Sequence, residues 1–309
     1  MTRIKIVLAA GVLAVVYGAV ARAADKPKQA SVNETYIGLA SDGLTQARLS
    51  DLPKGVLLKS GELSVTEKQV MDEIGKAPRE IQGQLKKHTF FVLERIAIRS
   101  LLLREAKAEA TKSGKDPSKM DERQIMEGYF GAIADKVKVA DDEVADFYRK
   151  NKGMFGDSRL DQVKTDLARY LLQQKQQEAV RKHIEALGQR TVIEVSASWA
   201  KEQAVLAKDN VVGKARSSGK PSLVDFGAKG CGPCDMMAPI LVTLSKKYKD
   251  KANVLFVHVG EEQILAARYG IESIPVQVFF DKDGREVYRH VGFFPQEEIE
   301  KKLGEIGVK

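Results

Sequence analysis

Ser222-Leu223-Val224-Asp225-Phe226-Gly227-Ala228-Lys229-Gly230-Cys231-Gly232-Pro233-Cys234 is the stretch from which the chain is best read. A short apolar, strand-like run leads into two cysteines three residues apart, and an apolar helical run follows (Met236, Met237, Ile240, Leu241). Three residues apart on a helix puts both sulfurs on one face, within disulfide reach. Cys231 falls at the helix N-terminus, where free N–H groups and the helix dipole stabilise a thiolate. Cys234 lies one turn in and is expected to be shielded. An exposed sulfur that attacks and a covered one that resolves suit dithiol–disulfide exchange. The competing readings are a passive disulfide and half of a metal site. The chain has no other cysteines, and its four histidines (His88, His183, His258, His290) are scattered without ligand spacing, so no metal centre is expected.

Outward from this stretch, residues 253–259 and 275–280 form further apolar runs. The turn Asp281-Lys282-Asp283-Gly284 joins the latter to a run at 286–291, which predicts a hairpin. Helical stretches fall between the first and second runs, between the second and third, and after the fourth. The order β-α-β-α-β-β-α is that of an α/β layer fold.

The C-terminal third resembles the thioredoxin family. The matching residues are Leu223-Val224-Asp225-Phe226, Cys231-Gly232-Pro233-Cys234, Met237-Ala238-Pro239-Ile240-Leu241, Tyr269-Gly270-Ile271, Ser273-Ile274-Pro275 and Val291-Gly292. They follow the family's order and spacing across about 105 residues. The resemblance implies a thioredoxin fold with Cys231 as nucleophile, Cys234 as resolving cysteine, and Asp225 as the buried acid that handles the inner cysteine's proton. It implies that Pro275 is a cis-proline facing the disulfide and that Ile274 offers its backbone to a substrate strand. Gly292 would lie at the rim of the substrate groove, and Gly230, Gly232 and Pro233 would line it. No cofactor is implied. Three residues depart from the family pattern. Gly230 stands where the family usually has tryptophan, Asp235 where it has lysine or arginine, and Phe256 where a lysine often accompanies the buried acid. A carboxylate at 235 should raise the pKa of a nearby thiol, against the helix dipole.

Upstream, helical patterning dominates residues 55–200. Residues 55–62 suggest a short strand, and Ser64-Val65-Thr66-Glu67 fits a capping box ahead of a helix ending at Gly75. Ile81, Leu85, Val92, Ile96 and Leu103 form one apolar stripe, read as a single long helix. Further helices are expected at 121–134, at 141–150 and from 158 to about 187, the last stopped by Gly188, with a strand at 191–195. Trp199 is read as a packing residue at the domain junction and His258 as a plain strand residue. Leu101-Leu102-Leu103-Arg104-Glu105-Ala106, Val139-Ala140-Asp141-Asp142-Glu143-Val144 with Phe147-Tyr148, and Phe155 resemble the chaperone region of the SurA and parvulin-type foldase family. In that family a prolyl-isomerase domain follows; here the thioredoxin-like region takes its place, so no isomerase activity is implied.

The chain begins with a short basic start (Arg3, Lys5), an apolar run at 6–20, and Ala21-Arg22-Ala23. This is the pattern of a cleavable export signal, its apolar run too short to span a bilayer comfortably. The expected organisation is a signal peptide at 1–23, a flexible leader at 24–54, a SurA-like helical domain at 55–200 and a thioredoxin-like domain at 201–309. The expected compartment is the periplasm, an oxidising one. Of the 309 residues, 43% are apolar and 30% charged, which excludes a disordered chain and a membrane transporter. The net charge of +8 has both signs spread along the chain, so no nucleic-acid partner is expected.

Two functions follow. The first is an exported protein-disulfide oxidoreductase, reducing or isomerising disulfides in unfolded client proteins held by the helical domain and exchanging electrons with a membrane donor or acceptor. The alternative is a chaperone or assembly factor with a thioredoxin-like scaffold, or a thiol oxidase. The Gly232-Pro233 pair between the cysteines resembles that of reducing family members.

Overall fold

The computed structural model describes residues 29–41 and 43–309. The segment read as an export signal, residues 1–23, lies outside them. The chain enters with α1 (Val32–Thr35), one turn capped by Ser31, and β1 (Arg48–Ser50). β2 (Val56–Ser60) and β3 (Leu63–Thr66) form a hairpin, of which only the first strand is legible in the sequence. Thr66 ends β3 and caps α2 (Glu67–Lys76): its hydroxyl accepts from the Gln69 N–H, and the Gln69 side chain accepts from the Thr66 N–H in return. The capping box is therefore Thr66–Gln69, not Ser64–Glu67, because Ser64 belongs to the strand.

α3 (Arg79–Lys87) and α4 (Thr89–Lys112) replace the single helix expected from the Ile81–Leu103 stripe. The break is at His88, whose φ of −126° and ψ of 42° leave the helical region. The apolar period is common to both helices, so it does not reveal the bend. α5 (Glu122–Ala134), α6 (Asp141–Lys150) and α7 (Leu160–Arg190) complete the helical layer, followed by β4 (Glu194–Ser196) and α8 (Ala197–Leu206). α7 continues through Gly188 instead of stopping there. A Cβ on Gly188 would lie 2.0 Å from the carbonyl oxygen of Gly43, so this glycine permits a close backbone approach. Tyr129 donates to Glu105 at 2.8 Å and its hydroxyl lies 2.7 Å from His183 Nε2, while Arg190 reaches the same Glu105, tying α5, α4 and α7 together.

The expectation of a flexible leader fails for residues 31–41 and 43–50. β1 pairs in parallel with β4, completing a sheet of order β1-β4-β2-β3. Val32 and Leu44 are fully buried in the helical domain's core. The buried Glu94 carboxylate on α4 accepts the N–H groups of Ser41 (2.9 Å) and Leu44 (3.0 Å). These apolar residues are too widely and irregularly spaced to show a period; only their tertiary partners order them. Trp199 stacks on Phe90 at 5.7 Å and packs against the same core.

The second half opens with α9 (Val211–Arg216) and runs β5 (Ser222–Gly227), α10 (Gly232–Lys247), β6 (Asn253–His258), α11 (Gln263–Arg268), β7 (Val276–Phe280), β8 (Glu286–Val291) and α12 (Gln296–Glu305). From β5 onward this is the β-α-β-α-β-β-α order read from the sequence. The sheet order is β6-β5-β7-β8, with β5 parallel to β6 and antiparallel to β7. Side chains alternate between its faces. Leu223 and Phe279 pack with Met237 and Leu241 of α10 and Leu303 of α12, while Val224, Phe226, Val278 and Phe280 pack with Val212 of α9 and Leu265 of α11.

The two halves share an interface built on α11. Ile264 lies in the helical domain's core. Gln84 of α3 donates to the Glu261 carbonyl (2.8 Å) and accepts from the Ile264 N–H (3.1 Å). The buried Arg268 guanidinium donates to the carbonyls of Gly38, in the segment read as a leader, and Ala207, at the end of α8. His88 is buried nearby, and burial, then the charges of Arg268 and Lys87, lower its pKa to about 4. The folded protein thus resists a second cation at this junction. A base with a depressed folded pKa contributes stability fully above its unfolded value near 6.5 and loses that contribution as pH falls toward 4. Chemical unfolding across this range is expected to show parent stability falling relative to His88→Gln by up to about 3 kcal/mol between pH 7.5 and pH 4. A pH-independent difference between the two would show that His88 does not charge on unfolding.

Candidate active site

β5 delivers the chain to the site, and all six of its residues are buried. After it the chain turns at Gly230, whose φ of +78° is left-handed. The missing tryptophan is therefore a backbone matter as well as a side-chain one, since a side chain at this φ costs roughly 1–2 kcal/mol. Cys231 is the N-cap residue of α10, and its sulfur accepts from the Cys234 N–H at 3.4 Å. Pro233 sits in the first turn, where its lack of an N–H does no harm. The two sulfurs form a disulfide, with Cα atoms 5.2 Å apart. Cys231 is half-buried; Cys234 is only 4% exposed. The asymmetry expected from the spacing is present in the structure.

On the other side of Cys231 is the loop before β7. The Ile274–Pro275 peptide is cis, and the Ile274 carbonyl oxygen lies 4.0 Å from the Cys231 sulfur. The Gly292 N–H donates to the Pro275 carbonyl at 2.8 Å, with Gly292 at φ +100°. The structure thus gathers Cys231, Ile274, Pro275 and Gly292 at one end of the sheet, beside Gly230, Gly232 and Pro233. Asp235 is exposed in the first turn of α10.

Asp225 lies deeper. It is fully buried on β5, on the sheet face of Leu223 that packs under α10. Its neighbours in register are Phe256 on β6 and Gln277 on β7. Phe256 offers no polar group, and the partner comes from the opposite strand: Gln277 Nε2 donates to Asp225 Oδ1 at 2.7 Å. Gln277 is itself fully buried. Among the described residues neither Asp225 Oδ2 nor Gln277 Oε1 has a hydrogen-bond partner. Burial raises the Asp225 pKa to about 6, with the Gln277 hydrogen bond partly opposing it. The sequence reading missed Gln277. A lone amide inside the apolar run Val276–Phe280 was the signal that marked it. His290, opposite Gln277 in the β7–β8 register, stacks on Phe294 with ring centroids 4.1 Å apart, and burial lowers its pKa. His258 ends β6 edge-on to Phe256, a packing position.

A fold with a cysteine pair at a helix N-terminus beside a cis-proline loop defines a thioredoxin-type exchange site, and the comparisons agree. The thioredoxin family model matches residues 202–305. Thioredoxin of Alicyclobacillus acidocaldarius is 41% identical over 87 residues, covering 28% of this chain and 82% of that protein. Thioredoxin of Staphylococcus aureus is 46% identical over 81 residues, covering 26% of this chain and 77% of that protein. Two solved thioredoxins, a point mutant from Halobacterium salinarum and one from Nicotiana alata, are 31% and 33% identical. Each covers 31% of this chain; the shares of their own chains are 81% and 80%, and the TM-scores 0.29 and 0.28. The chain belongs to the thioredoxin family through its C-terminal third, which implies thiol–disulfide oxidoreductase chemistry in general.

The raised Asp225 pKa has a measurable cost. Below pH 3.8 the carboxyl is neutral in both folded and unfolded chains and costs nothing; as pH rises through 6 the folded protein must carry a buried charge. The stability difference between Asp225→Asn and parent should shift in favour of the variant by up to about 3 kcal/mol from pH 4 to pH 8. Any fixed cost of the new amide cancels in that comparison. A difference that does not change with pH would mean that Asp225 keeps an ordinary pKa.

Proposed function

We propose that the protein is an exported thiol–disulfide oxidoreductase that reduces or isomerises disulfides in client proteins engaged by its helical domain. The observation that carries this reading is the pairing of a half-buried Cys231 at the N-cap of α10 with a covered Cys234, next to the Ile274 carbonyl. In the reducing direction the Cys231 thiolate attacks one sulfur of a client disulfide. A mixed disulfide forms and the client's other sulfur leaves as a thiolate. Cys234 then gives up its proton, for which Asp225 is the proposed acceptor, and its thiolate attacks the Cys231 sulfur. The Cys231–Cys234 disulfide forms and the first client sulfur leaves. Two electrons pass to the client, and an external dithiol, in our reading a membrane-bound donor, must return them. The exchange needs no cofactor. Isomerisation would use the same first step, with a second client thiol releasing Cys231.

Ile274 is assigned to pairing with client backbone, Pro275 to the cis-proline face beside the disulfide, and Gly230, Gly232, Pro233 and Gly292 to the groove rim. Low bulk at the rim favours varied clients over a narrow set of partners. The SurA-like assignment of the helical domain is part of the proposal. It is supported by a cleft of about 890 Å³ walled mostly by its helices, including Ile81, Phe91, Ile96 and Met126, and closed on one side by Ile264 and Ala267 of α11.

Cys234→Ser is expected to accumulate mixed disulfides with clients, resolved on non-reducing gels, and Cys231→Ser to form none. If both variants reduced a protein disulfide as fast as the parent, the site assignment would be wrong. Export is tested separately: N-terminal sequencing of protein recovered from cells should begin just after Ala23. A product that retains Met1 and fractionates with membranes would indicate an anchor.

A further inference from the structure

The redox site does not stand alone at its end of the molecule, because α7 of the helical domain lies alongside it. Between the two is a cleft of about 690 Å³. Ser273 and Val276, flanking the cis Ile274–Pro275 peptide, form part of one wall. Gln173, Gln177 and Val180 of α7, with Gly131 of α5, form part of the other. Toward the redox site, beyond the residues that line the cleft, α7 also carries Tyr170. Its hydroxyl lies 3.5 Å from where a Cβ on Gly292 would sit. Tyr170, Gln173, Gln177, Val180 and Ile184 recur at three- and four-residue steps, so they form one stripe of the helix.

We infer that this cleft is a polypeptide-binding groove, and that α7 supplies a second wall to the thioredoxin site for the extended segment beside a client's reactive cysteine. The inference rests on the oxidoreductase reading for the identity of its occupant. Three observations favour that occupant. The groove is continuous with the loop whose Ile274 carbonyl lies 4.0 Å from the Cys231 sulfur, so a chain whose sulfur engages Cys231 has the groove as an exit. Its helical wall carries neutral amide side chains beside aliphatic ones. Glutamine amides both donate and accept, which matches the peptide backbone without demanding a sequence. Its charged residues are largely paired within their own elements or domain: Arg289 with Glu286, Lys175 with Glu143, Arg181 with Glu178. That leaves little net field to select a charged ligand. From Gln173 to Ile184, the stretch of α7 that lines the cleft, the helix rises about 17 Å, the length of about five extended residues.

Gly131 provides a steric test. It lies inside α5, lines the groove, and a Cβ there meets nothing within 4 Å. A larger residue starts into open space at its Cβ, and helix propensity favours the change. Val180→Asp is a second, independent variant that places a charge on the α7 part of the same wall. The full-length protein and both variants are titrated against a dye-labelled twelve-residue unfolded peptide whose cysteine is replaced by serine, followed by fluorescence anisotropy. Gly131→Phe and Val180→Asp are each expected to weaken binding at least tenfold. Affinities within twofold of the parent for both variants, or no binding by the parent, would overturn the groove. Turnover of a small aromatic disulfide by the parent is measured in parallel. If that turnover is absent while peptide binding depends on Gly131 and Val180, the oxidoreductase reading falls and the groove stands.

Discussion

The burial of β5 is the constraint on which the active site depends. Six consecutive residues, Ser222 to Gly227, are withdrawn from water between β6 and β7. The alternating side chains fill both faces of the sheet, so a slip of one residue would exchange the two cores and carry Asp225 to the wrong face. Because the strand cannot move, the loop that leaves it delivers Cys231 to a fixed place, and α10 begins there. The same strand holds β7 in register, and β7 begins directly after the cis-proline loop. Both halves of the redox site are thus hung from one buried segment.

That segment also carries an unfavourable group. A carboxyl with burial as complete as its apolar neighbours is retained at Asp225, with an amide donor at Gln277 and a raised pKa. Buried ionisable groups cost stability unless they are paired, and they concentrate where a proton has to be moved. Gln277 makes the local balance unlike that of the lysine-bearing pattern: its amide donates one hydrogen bond without contributing a charge. Burial therefore raises the acid's pKa to about 6, which in the proposed mechanism suits it to take and return a proton.

The two domains are joined by more than a linker. Ile264 is inserted into the helical core, Gln84 bridges two backbone groups of the facing segment, and Arg268 directs its buried charge at carbonyls from two other segments. A buried guanidinium must be hydrogen-bonded to be tolerated, so this junction prefers one geometry. The consequence is that α7 is held beside the cis-proline loop. The placement of a helical surface next to the redox centre follows from packing at α11, on a different part of the thioredoxin domain.

Much of the C-terminal half could be read from the chain alone. Its strands are short apolar runs bounded by turn residues, and the order of elements follows from those runs and the helical stretches between them. The placement of Cys231 at a cap and Cys234 under it follows from a three-residue spacing, which is local geometry. The N-terminal half was legible only in part. Capped helices such as α5 and α6 could be located, since their end signals are local too. The break at His88 could not, because the apolar period runs on through both helices, and neither could the continuation of α7 through Gly188 or the ordering of residues 31–41 and 43–50, which involve partners distant in sequence such as Gly43 and Glu94. The same holds for the site. Residue types and spacing determined its chemistry, whereas the partnership of Asp225 with Gln277 and the position of Tyr170 near Gly292 were decided by tertiary structure. Strand register and interdomain packing bring together residues 52 and 122 positions apart, and no local pattern encodes that proximity.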